Sequence, residues 1–275
     1  MKIYIINLEQ STDRLEYQIK QFERLGLTFE RLPAVCVNDI SEEFYLSHIK
    51  YGQRLMKQSE MACFLSHKKA WTLVLEKNEP CVILEDDALL THDFADLLKD
   101  IEKQDFHHIN FINLEVQPRN KVVSHSPIYS LLNQEYHLYE LFLEKNGTGG
   151  YIIYPNGAKK LLNYAQNKLG LADAFIYGCP NLKKTQIEPA ILLQDVICPA
   201  YNIPFGPPPQ SIIGTVNNTV QFQPNLYHKI LFKKNRILTQ LKLGIKTLIA
   251  LSKGQKRQIM VNRDKFIPKE AKNDK

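Results

Sequence analysis

Long apolar runs are missing from this chain. None of its 275 residues falls in an uninterrupted stretch of the ~18 apolar side chains that a spanning helix needs, so no membrane span is expected. Cysteine is sparse and odd in number. Cys36, Cys63, Cys81, Cys179 and Cys198 lie far apart, mostly among apolar neighbours, which argues against a disulfide framework and for the reduced thiols of a cytoplasmic protein. The opening M-K-I-Y-I-I-N-L reaches Asn7 and then Glu9 where the apolar core of a signal peptide would have to continue, so none is expected. There is no strand-linked G-x-G-x-x-G, no G-x-x-x-x-G-K-[ST] loop and no G-x-S-x-G elbow. Dinucleotide, P-loop and serine-hydrolase chemistries thus lack their usual handles. Internal repeats are also absent.

What is present describes a globular protein, 44% apolar and 23% charged, long enough to bury a substantial core. The net charge of +6 conceals a division. Residues 226 to 275 carry fourteen Lys/Arg against three Asp/Glu, a net of +11, which leaves residues 1 to 225 at −5. From Leu226 to Arg263 there are ten basic residues and no acidic one, interleaved with apolar runs such as L-K-L-G-I-K-T-L-I-A-L. Two units are therefore expected, an acidic body over 1–225 and a basic, largely helical segment over 226–275. The basic segment suits an anionic membrane surface. Its few aromatics and lack of a reading motif argue against nucleic acid.

Local patterns supply the elements. K-I-Y-I-I at 2–6 reads as a strand, Arg14 to Leu25 as a helix closed by Gly26, and Phe29 to Val35 as a second strand. A helix starts near Ser59, where Cys63, His67, Trp71 and Val74 share one face, and stops at Asn78-Glu79-Pro80. Strands follow over 81–84, 106–114 and 151–154, with a helix opening near Pro155; 117–137 is irregular, and six prolines over 199–225 indicate a long loop. The expected fold is α/β, a mostly parallel central sheet flanked by helices.

Chemistry concentrates where V-I-L at 82–84 runs into Glu85, Asp86 and Asp87. Three carboxylates leaving a buried strand repel one another unless a positive group compensates them. A hard divalent cation, Mn2+ or Mg2+, is one such group, because it prefers oxygen ligands. Glu85 and Asp87 are two apart and share a side if the strand conformation persists, which makes Asp87 the best direct ligand and Glu85 a direct or water-mediated one. Asp86 points elsewhere. Cys63 and His67 have a zinc-chelating helical spacing, but no second ligand pair lies nearby in sequence.

Four stretches, taken together, resemble glycosyltransferase family 25: I-Y-I-I-N-L-E-Q-S-T-D-R-L at 3–15, S-E-M-A-C-F-L-S-H-K-K-A-W at 59–71, V-I-L-E-D-D-A at 82–88 and G-T-G-G-Y-I-I-Y-P-N-G-A-K-K-L-L at 147–162. That family includes bacterial lipooligosaccharide galactosyltransferases and collagen galactosyltransferases. The resemblance covers roughly residues 1 to 200 and implies a GT-A type fold, a UDP-hexose donor, a divalent metal and inversion at the anomeric carbon. It puts Glu85, Asp86 and Asp87 on the acidic metal and diphosphate motif, and Asn7 and Arg14 on the donor-side signature. Glu60, Ser66 and His67 fall in its central block, and Gly147, Thr148 and Tyr151 in its glycine-rich block. Glu9-Gln10 stands where the family usually has a basic residue.

An inverting transfer needs a general base on the side of the sugar away from the metal. Asp173, in G-L-A-D-A-F-I-Y, resembles the family pattern around a downstream Asp; Asp195, in I-L-L-Q-D-V, is its rival because it too leaves an apolar stretch. The bacterial branch of the family implies a lipid-linked oligosaccharide acceptor, a galactose or glucose donor, and a place on the inner face of the cytoplasmic membrane. A transferase fold kept as an idle interaction protein is the alternative.

Overall fold

The computed structural model describes residues 1–49, 52–106, 108–166, 168–204 and 219–267. In chain order they form β1 (Lys2–Asn7), α1 (Thr12–Leu25), β2 (Glu30–Pro33), α2 (Glu42–His48), α3 (Gln58–Lys77), β3 (Cys81–Glu85), β4 (Ala88–Leu90) and α4 (Phe94–Lys103). Then come β5 (Phe111–Asn113), β6 (Lys121–Val123), β7 (Tyr129–Leu131), β8 (Tyr136–Leu143), β9 (Gly150–Ile153), α5 (Pro155–Tyr164) and α6 (Ala172–Gly178). The described chain closes with β10 (Lys184–Glu188), β11 (Leu192–Gln194), a 3-10 turn (Asp195–Tyr201), α7 (Leu226–Lys253), β12 (Gln255–Arg257) and a last 3-10 turn (Arg263–Lys265). Of the loop expected over 199–225, residues 205–218 lie outside the described residues.

The main sheet has the order β12-β6-β8-β10-β5-β9-β3-β1-β2, with β7 added beside β8. It is mixed, which corrects the mostly parallel expectation. β1 runs parallel to β2 and β3, and β5 to β10, but β9 enters antiparallel between β3 and β5, and β8 is antiparallel to both β6 and β10. Apolar pattern marks a strand as buried without giving its direction, so sequence had no access to that reversal.

Strand alternation builds two cores. Tyr4, Ile6, Cys81 and Ile83 point to the face covered by α3, α5 and α6, around Trp71, Phe64 and Phe175. Ile3, Ile5, Val82 and Leu84 point to the other, against Phe22 of α1 and Phe94, Leu97 and Ile101 of α4. Each such side chain, fully withdrawn from water, contributes about 1.5–3 kcal/mol. Burial on both faces is why these strands read as continuous apolar runs.

Helix ends follow their capping chemistry. α1 stops at Gly26, whose φ of +63° is the left-handed conformation that ends a helix, and α3 stops at Asn78 with φ +52°. α3 starts one residue before the expected Ser59. Lys57 takes the cap position, and its N–H donates to the Glu60 carboxylate at 2.9 Å. The strand expected over 106–114 is only Phe111–Asn113, whereas the irregular-looking 117–137 contains β6, β7 and the start of β8. Three-residue strands are too short to show a period.

The C-terminal stretch is pinned by Asp93, which accepts from Lys265 Nζ at 2.8 Å and from the Tyr136 hydroxyl at 2.7 Å. Burial works against its ionisation, but these two donors outweigh it and hold the carboxyl below its ordinary range. A carboxyl lowered on folding adds stability above its unfolded pKa and loses it as pH falls through the folded one. Lys265→Met is expected to cost about 1 kcal/mol at neutral pH. The difference from wild type should persist above the ordinary carboxylate range and shrink only as the pH falls below it, read from urea titrations on acidification.

Candidate functional site

Register brings the candidate residues to one edge. Ile6 of β1 lies opposite Glu85 of β3, so Asn7 and the run Glu85-Asp86-Asp87 emerge together at the carboxyl ends of parallel strands. Leu84 lies opposite Gly150 of β9, which delivers the loop at 147–149 to the same edge. Ala88 of β4 lies opposite Gln194 of β11, which delivers Gln194 and Asp195. The first turn of α1 adds Arg14, and α3 adds Cys63, Ser66 and His67. A cavity of about 370 Å³ opens here, lined by the apolar Leu8, Val35 and Val37 as well as by Arg14, His67 and the three carboxylates.

Asp86 turns back into the protein. One carboxylate oxygen accepts from Asn7 Nδ2 and the other from Arg14, each at 2.8 Å. The Gln18 amide donates to the Asp86 and Ala88 carbonyls at 3.0 and 2.9 Å, closing the turn from β3 to β4. Burial still raises the Asp86 carboxyl, although Arg14 and Asn7 pull it back.

Glu85 ends a relay from the core. The Trp71 indole donates to the Tyr151 hydroxyl at 3.0 Å, Tyr151 meets His67 Nδ1 at 2.9 Å, and His67 Nε2 meets Glu85 Oε1 at 3.2 Å. The arrangement that leaves no donor idle has Tyr151 donating to Nδ1 and the Nε2–H of His67 facing Glu85. Thr148 donates its hydroxyl to the same Glu85 oxygen. Burial opposes a charge on Glu85, but His67, Thr148 and Arg14 outweigh it and hold the carboxyl below its ordinary value.

Asp87 is the opposite case. Its Oδ1 is buried with no hydrogen-bond partner among the described residues, while Oδ2 accepts only a long 3.3 Å bond from Gln194. Burial, with Glu85, Asp195 and Asp86 close by, pushes this carboxyl well above the ordinary range, and Arg14 offsets only part of it. The Gln194 amide also reaches Glu85 Oε2 at 3.3 Å, so it ties the two expected metal ligands together. An orphaned, buried carboxylate oxygen beside a charged neighbour fits a hard divalent cation. A second donor set, Cys63, His67 and Glu85, has its ligand atoms within 4.8 Å of one another. Burial pushes the Cys63 thiol well up, and its soft sulfur suits manganese or magnesium less than the carboxylate oxygens do.

The remaining candidates fall at different distances from this centre. Asp173, on the first turn of α6, accepts from the Ala174 N–H at 2.5 Å. Burial raises its carboxyl, bonds from the Ala174 and Gly147 N–H groups offset this, and Glu85 and His67 are near enough to act on it. Gly147 has φ +99°, and a Cβ there would lie 2.6 Å from Glu115 Oε1, so only glycine fits. Asp195 is buried next to Asp87, 3.9 Å from Arg14, with its backbone N–H on the Asp87 carbonyl and its Oδ2 without a hydrogen-bond partner among the described residues. Burial raises its carboxyl as well. Glu60 lies away from the cavity, paired through both oxygens with Arg54 at 2.8 and 2.6 Å. Ser66 donates to the Ala62 carbonyl and accepts from the Val35 N–H, which fixes a cavity wall.

Sequence reasoning missed Gln194, Gln18 and Glu115. Glu115 is fully buried, accepts from the Gly149 N–H at 2.9 Å and is pushed well above its ordinary range by burial, with Lys121 offsetting part. Its signal was available, since F-I-N-L at 111–114 leads into it as V-I-L leads into Glu85. The glutamines carry none.

The family model described as Glycosyltransferase family 25 (LPS biosynthesis protein) matches residues 1–176. The lipooligosaccharide biosynthesis protein lic2B of Haemophilus influenzae is 24% identical over 213 residues, covering 70% of this chain and 75% of its own. The lacto-N-neotetraose biosynthesis glycosyltransferase LgtE of Neisseria meningitidis serogroup B is 28% identical over 162 residues, 56% of each chain. A glycosyltransferase 25 family member of Anopheles gambiae is 37% identical over 95 residues, which is 31% of this chain but 16% of that one.

Asp87 carries a measurable liability. Because its carboxyl is raised on folding, its ionisation destabilises the metal-free protein as pH rises. Asp87→Asn is expected to raise the Tm of metal-free protein by roughly 2–4 °C and to remove the further rise that manganese gives wild type. Differential scanning calorimetry with and without manganese reads both effects, and a manganese response that survives the substitution would contradict the ligand assignment.

Proposed function

This chain belongs to glycosyltransferase family 25, and from that membership and the site we propose a metal-dependent, inverting transfer of a hexose from UDP to a hydroxyl of a lipooligosaccharide acceptor. Galactose is the first candidate for the sugar and glucose the second. The observation that carries the reading is the unpartnered Asp87 oxygen, buried beside Glu85 among the residues that line a cavity large enough for a nucleotide. A GT-A type fold is the matching architectural reading, with the donor at the carboxyl ends of β1 and β3.

Each residue then has a task. Leu8, Val35 and Val37 offer an apolar wall to the uracil ring, and Arg14 lies where it can meet a phosphate while it holds Asp86. Asp87 and Glu85 would hold a divalent cation, which supplies Lewis-acid charge for the diphosphate leaving group. His67 and Thr148 keep Glu85 ionised and oriented, and Asn7 fixes the turn through Asp86. We take Asp173 as the base in preference to Asp195, although the cavity lining includes neither. Asp195 abuts Asp87 and Arg14, on the metal side, whereas Asp173 approaches from the Gly147 loop and carries a carboxyl raised by burial.

The idle interaction protein is the second reading, and turnover separates it from the first. UDP release should be measured over a panel of UDP-sugars with a lipooligosaccharide acceptor, with and without manganese. One sugar should give manganese-dependent release that Asp87→Asn abolishes. Asp173→Asn should lower kcat by about 10²–10⁴-fold with little change in KM. Turnover indifferent to manganese and to Asp87 would refute the mechanism, and UDP binding without turnover of any sugar would favour the idle protein.

A further inference from the structure

α7 is an amphipathic helix whose apolar side faces the wrong way for a globular core. Twenty-eight residues at 1.5 Å each make it about 42 Å long. It touches the body through Phe232 and Ala250, which are 8% and 3% exposed. Two polar ties reinforce this seating: Asn235 Nδ2 donates to the Gly52 carbonyl at 3.0 Å, and Lys246 Nζ to the Gly178 carbonyl at 3.3 Å. At 100° per residue, Phe232 and Ala250 share one azimuth, and that fixes the inward face.

On the opposite side lies a second apolar stripe. Leu226, Ile230, Ile237, Leu241, Ile245 and Leu248 follow spacings of four, seven, four, four and three, and are 48% to 75% exposed. Lys229, Lys233 and Arg236 run along one flank and Lys242, Lys246 and Lys253 along the other, while Lys234 falls within the stripe, where its aliphatic stem can lie along the apolar surface and carry its ammonium outward. No Asp or Glu occurs between residues 226 and 263. Among the described residues, no helix is long and apolar enough to cross a membrane.

We propose that the outward face of α7 docks on the surface of an anionic lipid bilayer, with its apolar stripe at the acyl boundary and its basic flanks among the headgroups. A helix lying in the interface needs an apolar face with cationic borders, which is what α7 presents. Charge decides between occupants. A second copy of this chain would bring two uniformly basic helices together, whereas anionic headgroups complement both flanks. The body is held by the inward face, so docking leaves the contacts of Phe232 and Ala250 intact. Through Gly178 the helix also meets α6, the element that bears Asp173, so the surface would be mechanically joined to one wall of the site.

The test is co-sedimentation of the full chain with vesicles of phosphatidylethanolamine containing phosphatidylglycerol, against vesicles of phosphatidylcholine alone. Wild type should pellet with the anionic vesicles and be released by high salt. Leu241→Ser with Ile245→Ser should weaken binding at least about tenfold. Lys233→Glu with Lys242→Glu should weaken it on the order of tenfold and remove the preference for anionic lipid. These side chains are exposed, so an unchanged Tm and circular dichroism spectrum verify that the variants fold. Absence of vesicle binding by wild type, or binding unaffected by both double variants, would overturn the proposal. So would a wild-type dimer in sedimentation velocity that Leu241→Ser with Ile245→Ser dissociates, because the stripe would then belong to a second copy. UDP-sugar turnover on a lipid-free acceptor is an independent readout, so loss of docking and loss of catalysis are told apart.

Discussion

Three carboxylates leave β3 in succession, inside a site largely closed to water, and the structure depends on how their charge is divided. Asp86 receives the protein's own compensation, Arg14 on one oxygen and Asn7 on the other. Glu85 is held ionised by His67 and Thr148. Asp87 receives only a long bond from Gln194, so its carboxyl is pushed well above the ordinary range and one of its oxygens is left buried without a partner among the described residues. Burial of like charges is tolerated only where most members are paired, and here the pairing stops one residue short. The cavity owes its polar end to that shortfall.

The surrounding fold acts to keep this division fixed. Gln18 and Gln21 both donate to the Ala88 carbonyl, and Gln21 also accepts from the Leu90 N–H, so α1 clamps the β3–β4 turn with uncharged groups. Uncharged clamps matter because a further cation would neutralise the carboxylates that the cavity presents. Glu115 and the glycine at 147 act similarly from β9's side. The close approach of that loop to Glu115 leaves no room for a Cβ, which sets where Thr148 meets Glu85.

Legibility in sequence followed the range of the interaction. β1, α1, β3, β9 and α5 were readable because apolar period, Gly26, Asn78 and Pro155 are local signals. The acidic run was readable as a centre because its neighbours in sequence are apolar. Sheet direction was not, since the antiparallel entry of β9 depends on where a distant segment returns. Gln194 was unreadable for the same reason: it is 109 residues from Glu85, and nothing about an isolated glutamine announces a bridging amide. Glu60 shows the converse case. A carboxylate in a suggestive block is engaged by Arg54 and a helix cap, both a few residues away.

The chain contains one tryptophan, Trp71, and its buried indole N–H is the first link of the path through Tyr151 and His67 to Glu85. Its emission therefore comes from a single, solvent-shielded fluorophore wired by three hydrogen bonds to the wall of the cavity. That path gives a change in the charge or position of Glu85 a direct route to the chromophore, with no second indole to confuse the origin of a signal. The protein thus carries an optical gauge of its own polar centre, placed there by the packing of α3 on β9.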